Sequence, residues 1–121
     1  MASARFQEFN QLFCQAIDQS ISEIVGFSGL SSLYVALENY YSVTRDELPY
    51  RLETVYSVLE SVFGIKTTNT IEKRIGRRFY DTLDIPFTNM VGYTLQDYVE
   101  AVRKKIRLNS LNSLSEYIRL L

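Results

Sequence analysis

Four cations, Lys73, Arg74, Arg77 and Arg78, fall within six positions of the segment IEKRIGRRFY, residues 71–80. Side chains of this type grip phosphate, and the planar arginine fork also matches the paired oxygens of a carboxylate. Tyr80, next to Phe79 and Arg78, adds a ring on which a nucleic-acid base could stack. A second cluster, Arg103, Lys104, Lys105 and Arg107, forms the run RKKIR at 103–107. Binding of a polyanion through these residues would release counterions and weaken steeply with salt. Plainer uses exist for the same residues. A helix can carry its cations on a solvated face laced with ion pairs, such as Arg77 with Asp81 four positions on. Cations in a helix's last turn also favour its dipole. An acidic protein surface, including the acidic half of another copy, is a third occupant that suits the strip.

Charge is close to balanced, with 13 basic and 14 acidic residues and a net charge of −1. There is accordingly no global pull toward nucleic acid or an anionic membrane. The distribution is uneven, however. Residues 1–66 hold four cations and eight carboxylates, whereas residues 67–121 hold nine cations and six carboxylates. A polyanion would therefore meet the second half of the chain.

Other chemistry is excluded by composition. The chain has no histidine and a single cysteine, Cys14, so one chain cannot assemble a zinc site of the usual Cys/His type. Ser-His and Cys-His nucleophile pairs are excluded for the same reason. A lone thiol fits a reducing compartment. Cys14 lies at the margin of an apolar helix stripe with no cation near it in sequence, and is expected to be an inert buried thiol. Glu38 and Glu72 also fall at stripe margins, where a buried carboxylate can acquire a perturbed pKa and mark a site. Glu72 has a capping explanation, and nothing near the pair supplies a nucleophile, a phosphate loop or a metal set. The expectation is no enzymatic activity, no cofactor, no metal and no small-molecule ligand.

The elements that must position these residues are helical throughout, because apolar residues recur at spacings of three and four and no strand-like alternation is strong. A first helix over about 4–25 carries Phe6, Phe9, Phe13, Ile17, Ile21 and Ile24, with Gly26 as its stop. A second, from about Leu30 to Tyr41, carries Leu30, Leu33, Tyr34, Leu37 and Tyr41. TRDE at 44–47 has capping-box spacing and starts a short turn before Pro49. A third helix over 50–63 buries Leu52, Val55, Leu59 and Val62 and stops at Gly64. The basic helix begins at NTIE, with Asn69 as cap and Glu72 reaching back to it. It buries Ile71, Ile75, Phe79 and Leu83, leaves Tyr80 toward solvent, and ends before Pro86. Gly76 in its middle suits close approach of a neighbour. IPFTNMVGY reads as a loop with two buried aromatics, and Thr94 caps a helix carrying Leu95, Tyr98, Val99, Val102 and Ile106.

The tail LNSLNSLSEYIRLL places Leu111, Leu114, Ile118 and Leu121 at a three-four-three spacing, the seam of paired helices. Ser113 and Glu116 have capping-box spacing, and Asn109 and Ser110 would permit a bend before them. A helix of two or three turns is marginal alone in water, so this stripe needs a cover. It can fold back on its own chain, dock on a second copy, or meet another partner. Residues 1–107 thus read as one all-α domain, a compact bundle of five to six helices, and residues 108–121 as an amphipathic docking or oligomerisation arm.

The stretch from Leu33 to Leu83 resembles a small archaeal all-helical family, first catalogued as a domain of unknown function and later called the Nitrosopumilus output domain. The residues that carry the likeness are Tyr34, Leu37, Glu38 and Tyr41, then ELP at 47–49, FG at 63–64 and IEK at 71–73. LQDYVEAVRKK at 95–105 is similar to its closing acidic-aromatic element. The resemblance implies a helical bundle serving as an output or interaction module in signalling, with no enzymatic activity. FGIKTTNTIEKR is also similar to a helix-turn-helix, although Gly64 to Thr70 is one residue longer than the usual turn. Glu60 also stands where a small side chain is wanted. The expected function is a non-enzymatic interaction module that self-associates, as a homodimer, through its C-terminal helix. The alternative is a nucleic-acid-binding protein using the basic helix at 71–83. No apolar stretch comes near the roughly 20 residues of a bilayer span, and no secretory-type segment opens the chain, so a cytoplasmic address is expected.

Overall fold

A computed structural model describes residues 2–120, with side chains described from residue 8 to residue 108. Helix α1 covers Ala2–Tyr41 and is interrupted at Gly26, whose φ of 80° and ψ of 172° are open to glycine but costly for any residue with a Cβ. On both sides of that break the three-four spacing turns one face inward. Phe9, Phe13, Ile17 and Ile21 are buried before it, and Leu30, Leu33 and Leu37 after it. Tyr41 departs from this stripe and is exposed, because the helix gives way there to Ser42 at φ 55°.

A 3-10 helix, Arg45–Tyr50, follows. Its capping box is present: the Glu47 carboxylate accepts from the Thr44 amide at 3.4 Å and from its hydroxyl at 3.0 Å. Leu48 plugs the turn into the core. Helix α2, Leu52–Phe63, buries Leu52, Val55, Val58 and Leu59. Val62, expected inside, is 48% exposed; Val58 lies on the inward side in its place.

Helix α3 spans Ile65–Thr82 and starts five residues earlier than the NTIE cap would have it. Gly64, at φ 84° and ψ 166°, is both the C-cap of α2 and the N-cap of α3. Its amide donates to the Glu60 carbonyl at 2.9 Å, and its carbonyl accepts from the Thr68 amide at 3.1 Å and hydroxyl at 2.7 Å. Asn69 is therefore an exposed mid-helix residue and caps nothing. The single-residue joint also leaves no turn of the three to four residues that a helix-turn-helix uses.

Residues 83–94 loop across to helix α4, Leu95–Leu120, which opens with Thr94 as cap: the Asp97 amide donates to its hydroxyl at 3.2 Å. Of the loop's two aromatics, Phe87 is half-buried and Tyr93 is exposed. Helix α4 runs on through Asn109 and Ser110, so no new helix starts at Ser113. The side chains of Leu111, Leu114 and Ile118, and Leu121 altogether, lie outside the described residues.

The protein is all-α: four α-helices and one 3-10 helix, with no strand among the described residues. The principal contact is α1 against α3, where Phe79 meets Phe9 and Phe13 edge-on at 5.1 and 5.0 Å between ring centres. Helix α2 and the 3-10 helix close over α1, and α4 packs on α3 and α2. Within Glu8–Tyr41, α1 holds an 18-residue window that is long and apolar enough, by length and composition alone, to cross a bilayer, and 28% of that window is buried. Within the fold, the same apolar content is the stripe from Phe9 to Leu37 that meets α2 and α3.

Candidate functional site

Seating Ile71, Ile75 and Phe79 against α1 sets where the cations of α3 go. Residues three and four apart share a flank of a helix, so Arg74 and Arg78 emerge together beside α1. There they meet Glu23 and Gln19. Arg78 Nη2 donates to Glu23 Oε1, Nη1 donates to Gln19 Oε1 at 3.2 Å, and Arg74 Nη1 lies 3.5 Å from Glu23 Oε2. One carboxylate thus bridges two guanidinium groups, one oxygen to each. Arg78 Nε is buried with no acceptor. Arg77 projects from the next position with its guanidinium 5.7 Å from the centre of the Phe87 ring. Together with Asp81, these residues line an open cleft of about 520 Å³ between α1 and α3. Lys73 is exposed.

Tyr80 is not part of this surface. It is 7% exposed, donates its hydroxyl to the Tyr98 carbonyl at 2.8 Å, and meets Phe87 and Tyr98 edge-on at 5.3 and 6.0 Å. Burial pushes its phenol pKa up. Spacing along α3 sets Tyr80 off the Ile71, Ile75 and Phe79 stripe that faces α1, which is why the spacing alone turns it toward solvent. In the fold, α4 and the 83–94 loop cover a second side of α3. Gly76 belongs to the same packing: a Cβ there would lie 3.4 Å from Phe87 and 3.9 Å from Leu95.

The second cluster divides. Arg103 is an internal anchor: Nη1 pairs with Glu100 at 2.6 Å, Nη2 donates to the Pro49 carbonyl at 3.2 Å, and the guanidinium stands 5.5 Å from the rings of both Phe9 and Tyr50. Lys104, Lys105 and Arg107 are exposed. Lys104 and Arg107 line an open cleft of about 790 Å³ with Tyr93, Asp97 and Glu100.

Two further polar sites appear in the fold, the first of them not legible in the sequence. The first gathers Cys14, Asp18, Tyr34 and Arg45. Arg45 donates to Asp18 Oδ2 from Nη2 at 2.7 Å and from Nε at 3.1 Å; Tyr34 donates its hydroxyl to Asp18 Oδ1; Cys14 Sγ donates to the Arg45 carbonyl at 3.4 Å. Burial and then the Asp18 bond push the Tyr34 pKa upward. A cation does stand near Cys14, contrary to expectation, and Arg45 lowers its pKa in part. Burial is the larger effect and holds the thiol above its ordinary value, which makes it a poor nucleophile. The cluster joins residues on both sides of the Gly26 break to the 3-10 helix, and no local spacing announces that.

The second is Glu72. It caps nothing on α3 but lies half-buried opposite the first residue of α4. Burial pushes its carboxyl up to about 7, offset in part by the Leu95 backbone amide. Glu38, by contrast, is exposed. Among the described residues no group of three or more His, Cys, Asp or Glu side chains could hold a metal ion. Comparison with known proteins found no family model, no curated protein and no solved structure that matches the chain.

Proposed function

We propose that the chain is a non-enzymatic protein-interaction module that self-associates through the C-terminal part of α4. The observation that carries this reading is the continuity of α4. Its first turns seat Leu95, Tyr98, Val99 and Val102 in the core, and the same helix continues to Leu120. At 1.5 Å per residue that is about 27 Å of helix beyond Val102. The segment bears Leu111, Leu114 and Ile118 at the spacing of a helix-pairing seam. A compact helical bundle with an amphipathic C-terminal helix is the architecture this reading requires. The likeness to the archaeal output-domain family, resting on the residues quoted above, favours a role at the receiving end of a signal in the cytoplasm.

A nucleic-acid-binding protein is the second reading, and Lys73, Arg77, Lys104, Lys105 and Arg107 are its exposed cations that make no ion pair among the described residues. It has less to draw on than the sequence suggested. Arg78 and Arg74 already face Glu23, Arg103 is spent on Pro49 and Glu100, and Tyr80 is inside. Light scattering on a size-exclusion column decides the first reading. The expected mass is about 28 kDa, twice the chain's 14.0 kDa, falling to that of a monomer when Leu111, Leu114 and Ile118 are all replaced by serine. A monomeric wild-type chain would sink it.

A further inference from the structure

We propose that the α1–α3 cleft is a receptor for a single phosphate monoester, with Glu23 as its resident competitor. This goes beyond self-association and does not depend on it. Three guanidinium groups, Arg74, Arg77 and Arg78, line one open cleft of about 520 Å³, and only Glu23 and Asp81 oppose them there. That leaves the cleft at +3 − 2 = +1. A carboxylate has two oxygens, and Glu23 spends one on Arg74 and one on Arg78. Arg77 has no ion-pair partner among the described residues and rests over Phe87. Arg78 presents the edge formed by Nε and Nη2, the edge that takes a two-oxygen acceptor in parallel. Glu23 fills only Nη2, and Nε is a buried donor with nothing to donate to. A buried donor left in that state is costly.

A phosphate monoester has the parts that are missing. It carries close to two charges and three strong acceptor oxygens. Two of those oxygens match Nε and Nη2 of Arg78, and the third is free for Arg74 or Arg77. Glu23 can yield the position because its side chain is 43% exposed and can swing into water. A nucleic-acid backbone fits less well. It offers a row of singly charged diesters, whereas the three arginines here line a single cleft and Arg103 of the second cluster is occupied elsewhere.

The test is a titration of the full chain with inorganic phosphate, followed by amide NMR shifts, with chloride at matched ionic strength as the blank. Saturable shifts at residues 19–23 and 74–82 are expected with phosphate and not with chloride. Glu23→Gln removes the competitor and is expected to tighten binding about two- to fivefold, the strength of an exposed ion pair of up to about 1 kcal/mol. Glu60→Gln, a matched loss of charge on α2, is expected to leave affinity unchanged. Arg77→Gln is expected to weaken it about tenfold. Phosphoserine in a short peptide and adenosine monophosphate distinguish a modified protein partner from a small metabolite as the source of the group. Identical shifts with chloride, or equal tightening by Glu23→Gln and Glu60→Gln, would overturn the proposal. Binding of duplex DNA without a saturable response to phosphate would overturn it as well.

Discussion

Replacing Glu72 by glutamine is expected to stabilise the protein at pH 8 and to do little below pH 5. The side chain is half-buried against the start of α4, and its carboxyl is raised from 4.5 to about 7, chiefly by burial. A carboxyl raised on folding means that the folded state holds the proton more tightly than the unfolded chain. The stability this contributes is complete below about 4.5 and is lost as pH rises through about 7. At 1.36 kcal/mol per pH unit, the separation corresponds to about 3 kcal/mol. Water reaches part of the side chain, and screening brings the expected loss to about 1–2 kcal/mol. Glutamine is neutral at every pH, has nearly the same volume, and keeps an oxygen for the Leu95 amide. Urea unfolding of both proteins between pH 4.5 and pH 8 measures the difference directly. The wild-type curve should fall away from that of Glu72→Gln as pH rises, by about 1–2 kcal/mol, or several degrees in Tm for a domain of this size. Parallel curves would show that burial does not govern Glu72, and the account of its place against α4 would fail.

Four further outcomes follow from the packing. Tyr80→Phe keeps the ring and removes the donor to the Tyr98 carbonyl, so it should lower stability by about 1–2 kcal/mol, read by chemical denaturation, without altering affinity for any partner. Gly64→Ala should cost about 1–2 kcal/mol although nothing lies within 4 Å of the added carbon, because the cost is the positive φ of 84°. Gly76→Ala should instead be neutral or stabilising by up to about 1 kcal/mol: its φ is not in the positive range, the space reaches ordinary contact with Phe87, and alanine favours the helix. Cys14 should react with a thiol reagent only as fast as the protein opens, so urea should accelerate its modification many-fold.

The elements legible from the chain were those whose cause is local. The stripes Phe9 to Ile21, Leu52 to Leu59 and Ile71 to Phe79 announce their helices by spacing alone, and each is buried as expected. Gly26 and Gly64 stop helices because only glycine is at ease at their angles. The misplaced start of α3 comes from competition between two valid local signals. NTIE is a sound capping sequence, yet Gly64 five residues earlier already starts the helix. The Thr68 and Thr70 hydroxyls then bond back to the Gly64 and Lys66 carbonyls, so residues that look like cap material are absorbed into the first turns. Tyr80 has a different cause: it lies off the Ile71, Ile75 and Phe79 stripe, and its cover comes from Phe87 and Tyr98, which only the path of the chain from α3 to α4 brings to it.

The candidate site was legible as composition but not as geometry. Crowding of cations in 71–80 is plain in the sequence, and so is their placement opposite the apolar stripe. What could not be read is that Glu23, fifty-five residues before Arg78, would stand between two of them. Partners this far apart are fixed by how α1 lies on α3, which the Phe9, Phe13 and Phe79 ring contacts determine. The consequence reaches function. A strip that the sequence shows only as clustered cations off an apolar stripe is, in the fold, one guanidinium held at two nitrogens with a third unmet, one loosely paired, and one facing an aromatic ring. Such a set discriminates among anions by the number and spacing of their oxygens, where an unpaired row of the same charge would respond mainly to charge. Ionic strength and oxygen geometry are therefore separable variables for this surface, and the difference between phosphate and chloride measures the second.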